Sequence, residues 1–505
     1  MGGKAPEENW ESYEIESEGI KVGVKIGAEK GMFTKSYLLE LPEIGGGTRA
    51  LLQSVKEKLI SDQRIQPEKV LDLAFLSELK EKFRENAMEI IESELGNESK
   101  ENKMALVATV MREMLGLGKL DILLDDKNLE EIVVNSASEP VWVYHRNRGW
   151  LKTNLFLESE GETQNYASII SRRVGKQITS LNPLLDAHLI SGDRANATLF
   201  PISSHGNTIT IRRFRKDPWT VTDFISEKTA SAEAMALIWM AMQYELSMVV
   251  SGGTASGKTS FLNVCMPFIQ PNQRIVSIED TRELMLPSFL HWVPMTTREA
   301  NPEGKGEITM LDLLVNSLRM RPDRIVMGEI RRQREAEVLF EGMHTGHSAY
   351  TTVHANTAEE TIQRLTNPPI SIPKSMLESV HLNAVMIRNR RSGERRLLEL
   401  AEFVPERRGE GEESVRANTL FRWKRAQDQI ARHSESIRIF DELMLHTGFS
   451  QQEIAKDLES KQRILEWMAK QKIRDVQEVG KVLVNYYSEP EEVEAMARRG
   501  KKFGE

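Results

Sequence analysis

Between Gln53 and Leu123 apolar residues recur every three and four positions, as in LDLAFLSELKEKF and MALVATVMREMLGLG, the spacing that lines one face of a helix. From 128 to 154, in NLEEIVVNSASEPVWVYHRNRGWLKTN, the period shortens to that of strands, with a turn at Asn147 to Gly149. A helix is expected through YASIISRRVGK, and strands return in RANATLF and NTITIRRF. KDPWTVTDFISEKTAS, 216 to 231, sustains no period and contains Pro218, which marks an interdomain linker. Beyond it strand and helix patterns alternate to about 405, as a parallel α/β sheet requires. RGEGEESVRA, 408 to 417, is expected to be a polar loop, and 427 to 496 returns to helical periodicity. The pattern predicts a mainly helical segment at 1–119, a mixed α/β domain at 120–215, a linker at 216–231, a parallel α/β core at 232–407 and a helical extension at 408–505.

Composition narrows the picture. The chain has 505 residues, too many for one simple core, with 40% hydrophobic and 28% charged residues, the balance of a folded protein. A net charge of -8 gives no sequence-wide attraction to nucleic acid. The single cysteine, Cys265, excludes an internal disulfide framework and a four-cysteine zinc site, and points to a reducing, cytoplasmic setting. The N-terminal MGGKAPEENWESYEIESEG is acidic where a secretory signal would be basic and then apolar, and Pro6 stands where a myristoylation signal wants Ser or Thr. Among the longest apolar runs is MALIWMAM, 235 to 242, suited to a buried helix and too short to span a bilayer, so a membrane role would be peripheral or through a partner.

The chemistry is concentrated in the core. LSMVVSGGTASGKTSFLNV, 246 to 264, places Gly252, Gly253, Thr254, Ala255, Ser256, Gly257, Lys258, Thr259 and Ser260 between an apolar strand and a helix, the P-loop pattern in its proper setting. Its glycines let backbone N–H groups turn toward phosphate, the helix N-terminus adds favourable partial charge, Lys258 neutralises the β and γ phosphates of ATP, and Thr259 offers its hydroxyl to Mg2+. RIVSIEDTREL, 274 to 284, is a strand delivering Glu279 and Asp280 at its end, with Glu283 further on. Open parallel sheets bind ligands at that edge, so these acids suit metal and water; Asp280 equally suits a helix N-cap. PDRIVMGEIR, 322 to 331, is a buried strand ending in Gly328 and Glu329, where a phosphate-transferring ATPase usually ends in an Asp. Glu329 supplies one carboxylate, for water and metal, and the segment Glu279 to Glu283 supplies the second.

GMHTGHSAYTTVHANT, 342 to 357, carries His344, His347 and His354 around a strand. No cysteine is near and the gap between His347 and His354 fits no common zinc spacing. His354, at the strand end, is placed to sense γ-phosphate by hydrogen bonding; His347 is equally read as a turn histidine. Arg212 and Arg213 close the second domain just before the linker, and Arg319 and Arg321 precede the Glu329 strand. An arginine supplied across an interface stabilises phosphoryl-transfer charge, although single arginines are more often surface ion pairs. RNRRSGERR, 388 to 396, is expected to be a turn between strands, its five arginines a soluble hairpin or a contact with anionic lipid.

Together GGTASGKTS, SIEDTREL, LRMRPDRIVMGEIR and TGHSAYTTVHANT, in that order, resemble the P-loop, aspartate box, Walker B segment and histidine box of the type II/IV secretion ATPase superfamily, over roughly 105 to 405. NLEEIVVNSASEPVWVYHRNRGW and LISGDRANATL look like the family's second N-terminal domain. The resemblance implies a P-loop RecA-like α/β C-terminal domain with a helical tail, preceded by a mixed α/β domain and a helical N-terminal domain, assembled as a homohexamer with ATP between the N-terminal and RecA-like domains. It implies that Glu329 polarises the attacking water, and that Arg194, Arg212 and Arg213 match the family's N-domain arginines. One cysteine departs from members with a four-cysteine zinc element, and with the long N-terminal segment and helical tail the chain looks most like the archaeal branch of archaellum motors and type IV pilus ATPases. The implied partners are a multispanning membrane platform protein and other filament or secretion components, with peripheral membrane contact. Two other functions fit the P-loop alone: a regulatory ATP-binding factor without turnover, which Glu329 and Glu279 disfavour, and a nucleic-acid motor, which net acidity and the lack of an aromatic and basic stripe disfavour.

Overall fold

The computed structural model describes residues 10–503 apart from 30, 42–44, 63–72, 97, 190–191, 214–217, 301–303, 390 and 409–411; the MGGKAP start and Arg390 therefore lie outside the described residues. The chain divides into two compact units, Met1–Arg215 and Lys216–Glu505.

The first unit opens with strands β1 (Glu11–Ser17), β2 (Ile20–Gly27) and β3 (Ser36–Glu40), then helices α1 (Gly46–Asp62), α2 (Leu73–Glu94), α3 (Lys100–Leu115) and α4 (Leu120–Asp125). There follow β4 (Leu129–Val134), β5 (Trp142–His145), β6 (Gly149–Thr153), α5 (Glu160–Arg173), β7 (Leu184–His188), β8 (Arg194–Thr198) and β9 (Thr208–Arg212). All nine strands form one sheet in the order β1-β2-β3-β6-β5-β4-β9-β8-β7. Helices α1 to α3 make up most of the described part of 1–119, and three strands precede them. Within Glu11–Ser17 and Ile20–Gly27 the side chains alternate with period two, burying Ile15, Val22, Val24 and Ile26, so these segments are strands. The boundary expected at 119/120 also cuts through a single sheet, because β3 pairs in parallel with β6, Tyr37 beside Thr153. Buried Asp126 fastens the two parts: its carboxylate accepts from Tyr13 at 2.5 Å and Tyr37 at 2.8 Å. Helices α1 to α3 keep a separate small core around Val55, Leu59, Phe83 and Ile91.

The second unit runs α6 (Val221–Ser226), α7 (Ala232–Gln243), β10 (Met248–Gly252), α8 (Lys258–Cys265), β11 (Ile275–Glu279), β12 (Trp292–Thr296), α9 (Met310–Ser317), β13 (Arg324–Met327), α10 (Gln333–His344), β14 (Ser348–Val353) and α11 (Ala358–Thr366). It ends with β15 (Leu382–Arg388), β16 (Arg395–Arg408), β17 (Glu412–Lys424), β18 (Gln429–Arg432), α12 (Ile439–Thr447), α13 (Gln451–Gln471), α14 (Val476–Ser488) and α15 (Pro490–Arg499). Its sheet has the order β12-β11-β13-β14-β10-β15-β16-β17-β18. The strands from β12 to β15 are parallel, and β16 to β18 are added antiparallel.

Two expectations change here. The described part of the 216–231 segment is not a bare linker: a Thr220–Asp223 capping box starts α6, and Val221 and Phe224 are buried in the second unit's core. The 408–505 segment is not purely helical either, since β17 and β18 extend the sheet before the helices begin. Those helices are integral to the fold. Helix α7 is apolar on every side, which requires cover all round, and α13 and α14 provide part of it. Trp239 of α7 donates to Tyr487 at 2.7 Å, and Tyr487 donates to the Phe268 carbonyl at 2.6 Å. No helix among the described residues is long and apolar enough to cross a membrane.

Candidate active site at the edge of the parallel sheet

Because β10, β11, β13 and β14 run parallel, their C-terminal ends share one edge, and each carries a reactive group there. β10 ends at Gly252, whose φ of 154° and proximity to the Met386 carbonyl and Ser256 Oγ leave no room for a side chain. The loop turns through Ala255 at φ 58° and Gly257 at φ 93°, and Gly257 caps α8. Lys258 is buried at the helix start, with Thr259 half-buried and Ser260 exposed. Inside the loop the Ser256 N–H at 3.3 Å and Lys258 Nζ at 3.2 Å both reach the Gly253 carbonyl, so two donors converge where a phosphate oxygen would serve them better. Thr254 adds its backbone to the same loop.

The histidine at the end of β14 joins the loop to the acid. His354 Nδ1 lies 3.4 Å from Lys258 Nζ and its Nε2 lies 3.1 Å from Glu329 Oε1. Burial and then the Lys258 charge lower its pKa, with Glu329 pulling the other way, which favours the neutral ring. The network fixes the tautomer: Nδ1 accepts from the ammonium and Nε2–H donates to the carboxylate. Burial also lowers the Lys258 pKa, opposed by the charges of Glu329 and Glu283.

Glu279 and Gly328 stand level at the ends of adjacent strands, since Ile278 pairs with Met327 and Gly328 donates to the Ile278 carbonyl at 2.9 Å. A Cβ placed on Gly328 would lie 3.7 Å from Glu279 Cγ. The second carboxylate of the site thus comes from β11, beside the position where β13 lacks one. Glu279 is 2% exposed; its Oε1 accepts from the backbone of Glu283 at 2.9 Å and Leu284 at 3.1 Å, while buried Oε2 has no partner. Burial pushes its carboxyl up to about 7. An orphaned carboxylate oxygen and the unpaired buried Ser256 Oγ beside the loop fit a bound nucleotide with its cation. No helix follows Asp280; it is paired with Arg331 at 2.8 Å and accepts from Thr297 at 3.2 Å. Glu283 is exposed.

Arg331, which the sequence reading passed over, donates to Glu329 Oε2 from Nη2 at 2.8 Å and from Nε at 3.0 Å, so it orients the acid from the side opposite His354. The other groups are not gathered here. His347 precedes β14 and binds the Gly342 carbonyl at 3.2 Å, a turn histidine at the strand's far end, and His344 is exposed at the end of α10. Arg319 and Arg321 are exposed before β13, at the end away from Glu329. No cluster of three or more His, Cys, Asp or Glu side chains suited to a metal occurs among the described residues. In the first unit, Arg194 pairs with Asp186 at 2.6 Å, and Arg213 donates to the Asp126 and Leu129 carbonyls, whereas Arg212 is exposed at the end of β9.

Residues 162–477 match the family described as Type II/IV secretion system protein. The chain belongs to this family. The matched span holds every site residue described above. The chain is 34% identical over 382 residues to an uncharacterized protein of Methanocaldococcus jannaschii (MJ0900), covering 74% of this chain and 68% of that one. It is 28% identical to the type IV secretion system protein PtlH of Bordetella pertussis, over 54% of this chain and 88% of PtlH. Among solved structures it is similar to the ATPase DotB of Legionella pneumophila, with 18% identity, a TM-score of 0.38 and coverage of 74% of this chain and 93% of DotB. The fold is the RecA-like α/β fold of the secretion ATPases.

Proposed function

We propose that this secretion-family chain is a Mg2+-dependent ATPase that hydrolyses ATP to power a type II or type IV machine. The observation that carries the proposal is His354, held between Lys258 at 3.4 Å and Glu329 at 3.1 Å at the sheet edge where the P-loop opens. Lys258 and the loop N–H groups bind the β and γ phosphates. Glu329, oriented by Arg331 and His354, polarises water and accepts its proton. His354 hydrogen-bonds the γ-phosphate and reports its presence to Glu329. Thr259, Glu329 and Glu279 are the groups that would hold Mg2+, which when bound offsets negative charge on the phosphates. Of Arg194, Arg212 and Arg213, Arg212 is exposed at the end of β9, whereas Arg194 pairs with Asp186 and Arg213 donates to backbone carbonyls, and we assign Arg212 the charge-stabilising role.

Within this reading the chain works as a homohexamer at the inner face of the cell membrane, acting through a multispanning platform protein to assemble, and in an archaellum also to rotate, a filament. The 34% identity with the Methanocaldococcus jannaschii protein, over 74% of the chain, supports the archaeal assignment, as does the lack of cysteines for a four-cysteine zinc element. The test is ATP turnover with Mg2+ in the full chain and in Lys258→Ala. Loss of the phosphate-binding charge should leave turnover near background, and a variant within about threefold of the unmutated chain would overturn the assignment.

A further inference from the structure

The arginine-rich turn expected to be a soluble or lipid-facing hairpin has one member elsewhere. β15 lies beside β10 with Met386 level with Gly252, and β16 returns antiparallel with Arg395 opposite Arg388. This register brings Arg395 to the P-loop, where its Nε donates to the Ala255 carbonyl at 3.2 Å. Its stem crosses Gly257 so closely that a Cβ there would lie 3.2 Å from Arg395 Cδ. Arg396 turns the other way and pairs with Asp428 at 2.8 Å.

We propose that Arg395 is a positioning residue for phosphate binding: it holds the Ala255 carbonyl outside the P-loop and so keeps the Ser256 N–H inside it. A trans peptide sets its C=O and N–H in opposite directions, so fixing one fixes the other. The Ser256 N–H does point inward, toward the Gly253 carbonyl that Lys258 also reaches. Ala255 needs such an anchor, because φ 58° is costly for a residue with a side chain. Arg395 acts through the loop, not on the nucleotide, and the inference rests on the P-loop being the nucleotide site.

The test compares two variants of the full chain by ADP calorimetry and ATP kinetics. Arg395→Met keeps a long stem and removes the donor. Arg395→Gln carries an N–H donor the same number of bonds from the backbone as Arg Nε, without the charge. The Met variant should raise the ADP Kd and the ATP KM by about three- to tenfold, the loss of one hydrogen bond, with kcat within about twofold. The Gln variant should return both to within about twofold of the unmutated chain. Equal weakening in both variants would mean that the guanidinium charge meets the nucleotide directly, and no weakening in either would mean that the loop needs no anchor; each overturns the proposal. Should the Met variant unfold, Arg395→Leu, which also lacks a donor, takes its place: positioning predicts the same weakening of about three- to tenfold, and no weakening overturns the proposal. No ADP binding by the unmutated chain would overturn the nucleotide-site reading itself, and this proposal with it.

Discussion

His354 and Glu329 face each other at 3.1 Å across the ends of adjacent parallel strands, the neutral ring donating to the carboxylate. The same ring accepts from Lys258, so γ-phosphate arriving at Lys258 must compete with or replace that bond, which frees or reorients Glu329. His354→Ala should therefore lower kcat by about 10²-fold, the scale of a displaced base, while nucleotide binding stays within about threefold. Kinetics beside binding of a fluorescent ADP analogue would check it. An equal loss in both would make His354 a structural support of the P-loop.

Glu279 allows stability and catalysis to be separated. Glu279→Gln keeps the oxygen that accepts from Glu283 and Leu284 but removes a buried charge whose second oxygen has no protein partner. Thermal stability without nucleotide should hold or rise, because the desolvated carboxylate is gone. Mg2+-dependent turnover should fall by about tenfold or more, since a neutral amide is a poor cation ligand. Lower melting temperature with normal turnover would assign Glu279 to the fold alone.

The site was legible where a strand end and its reactive residue are consecutive in sequence: Gly252 to Ser260 after β10, Glu279 on β11, Glu329 after β13 and His354 after β14. Arg331 and Arg395 were not, for different reasons. Arg331 adjoins Glu329 in sequence, but its role depends on Asp280, 51 positions away. Arg395 reaches Ala255, 140 positions away, only because β15 happens to neighbour β10. Non-local pairing also hid the first sheet. The alternation in β1 and β2 is short, and the parallel contact joining β3 to β6 leaves no trace in either segment.

Lys461 tests how far the C-terminal helices stabilise the second unit. Its ammonium is 1% exposed, bound to both Asp457 oxygens at 2.6 Å, and set over the Trp239 ring at 5.3 Å. Lys461→Met leaves Asp457 in a largely buried position with only the Tyr486 hydroxyl at 2.7 Å. Breaking one side of such a pair should cost about 3 kcal/mol or more, and Asp457→Asn in the same chain should recover part of it. Urea unfolding of the single and double variants would check this, and equal midpoints in all chains would show that the pair carries no stability.

His381 gives the second unit a pH dependence whose sign is fixed by its surroundings. His381 lies just before β15, where its Nδ1 accepts from the Ser247 N–H at 3.1 Å and its backbone N–H donates to the Ser247 carbonyl at 3.1 Å. Burial, then the charges of Arg438 and His446, lower its pKa to about 3. In the unfolded chain a histidine titrates near 6.5, so between those values the unfolded state binds the extra proton. Its contribution is complete above about pH 6.5 and is lost as pH falls toward 3, at no more than about 1.4 kcal/mol per pH unit. His381→Asn keeps an acceptor at the same bond distance from the backbone and does not titrate. It carries a constant offset from the lost ring, but its melting temperature should fall less steeply than that of the unmutated chain between pH 6.5 and 5. Parallel profiles would show that protonation of His381 does not oppose folding, and the acid sensitivity would then have to come from the carboxylates.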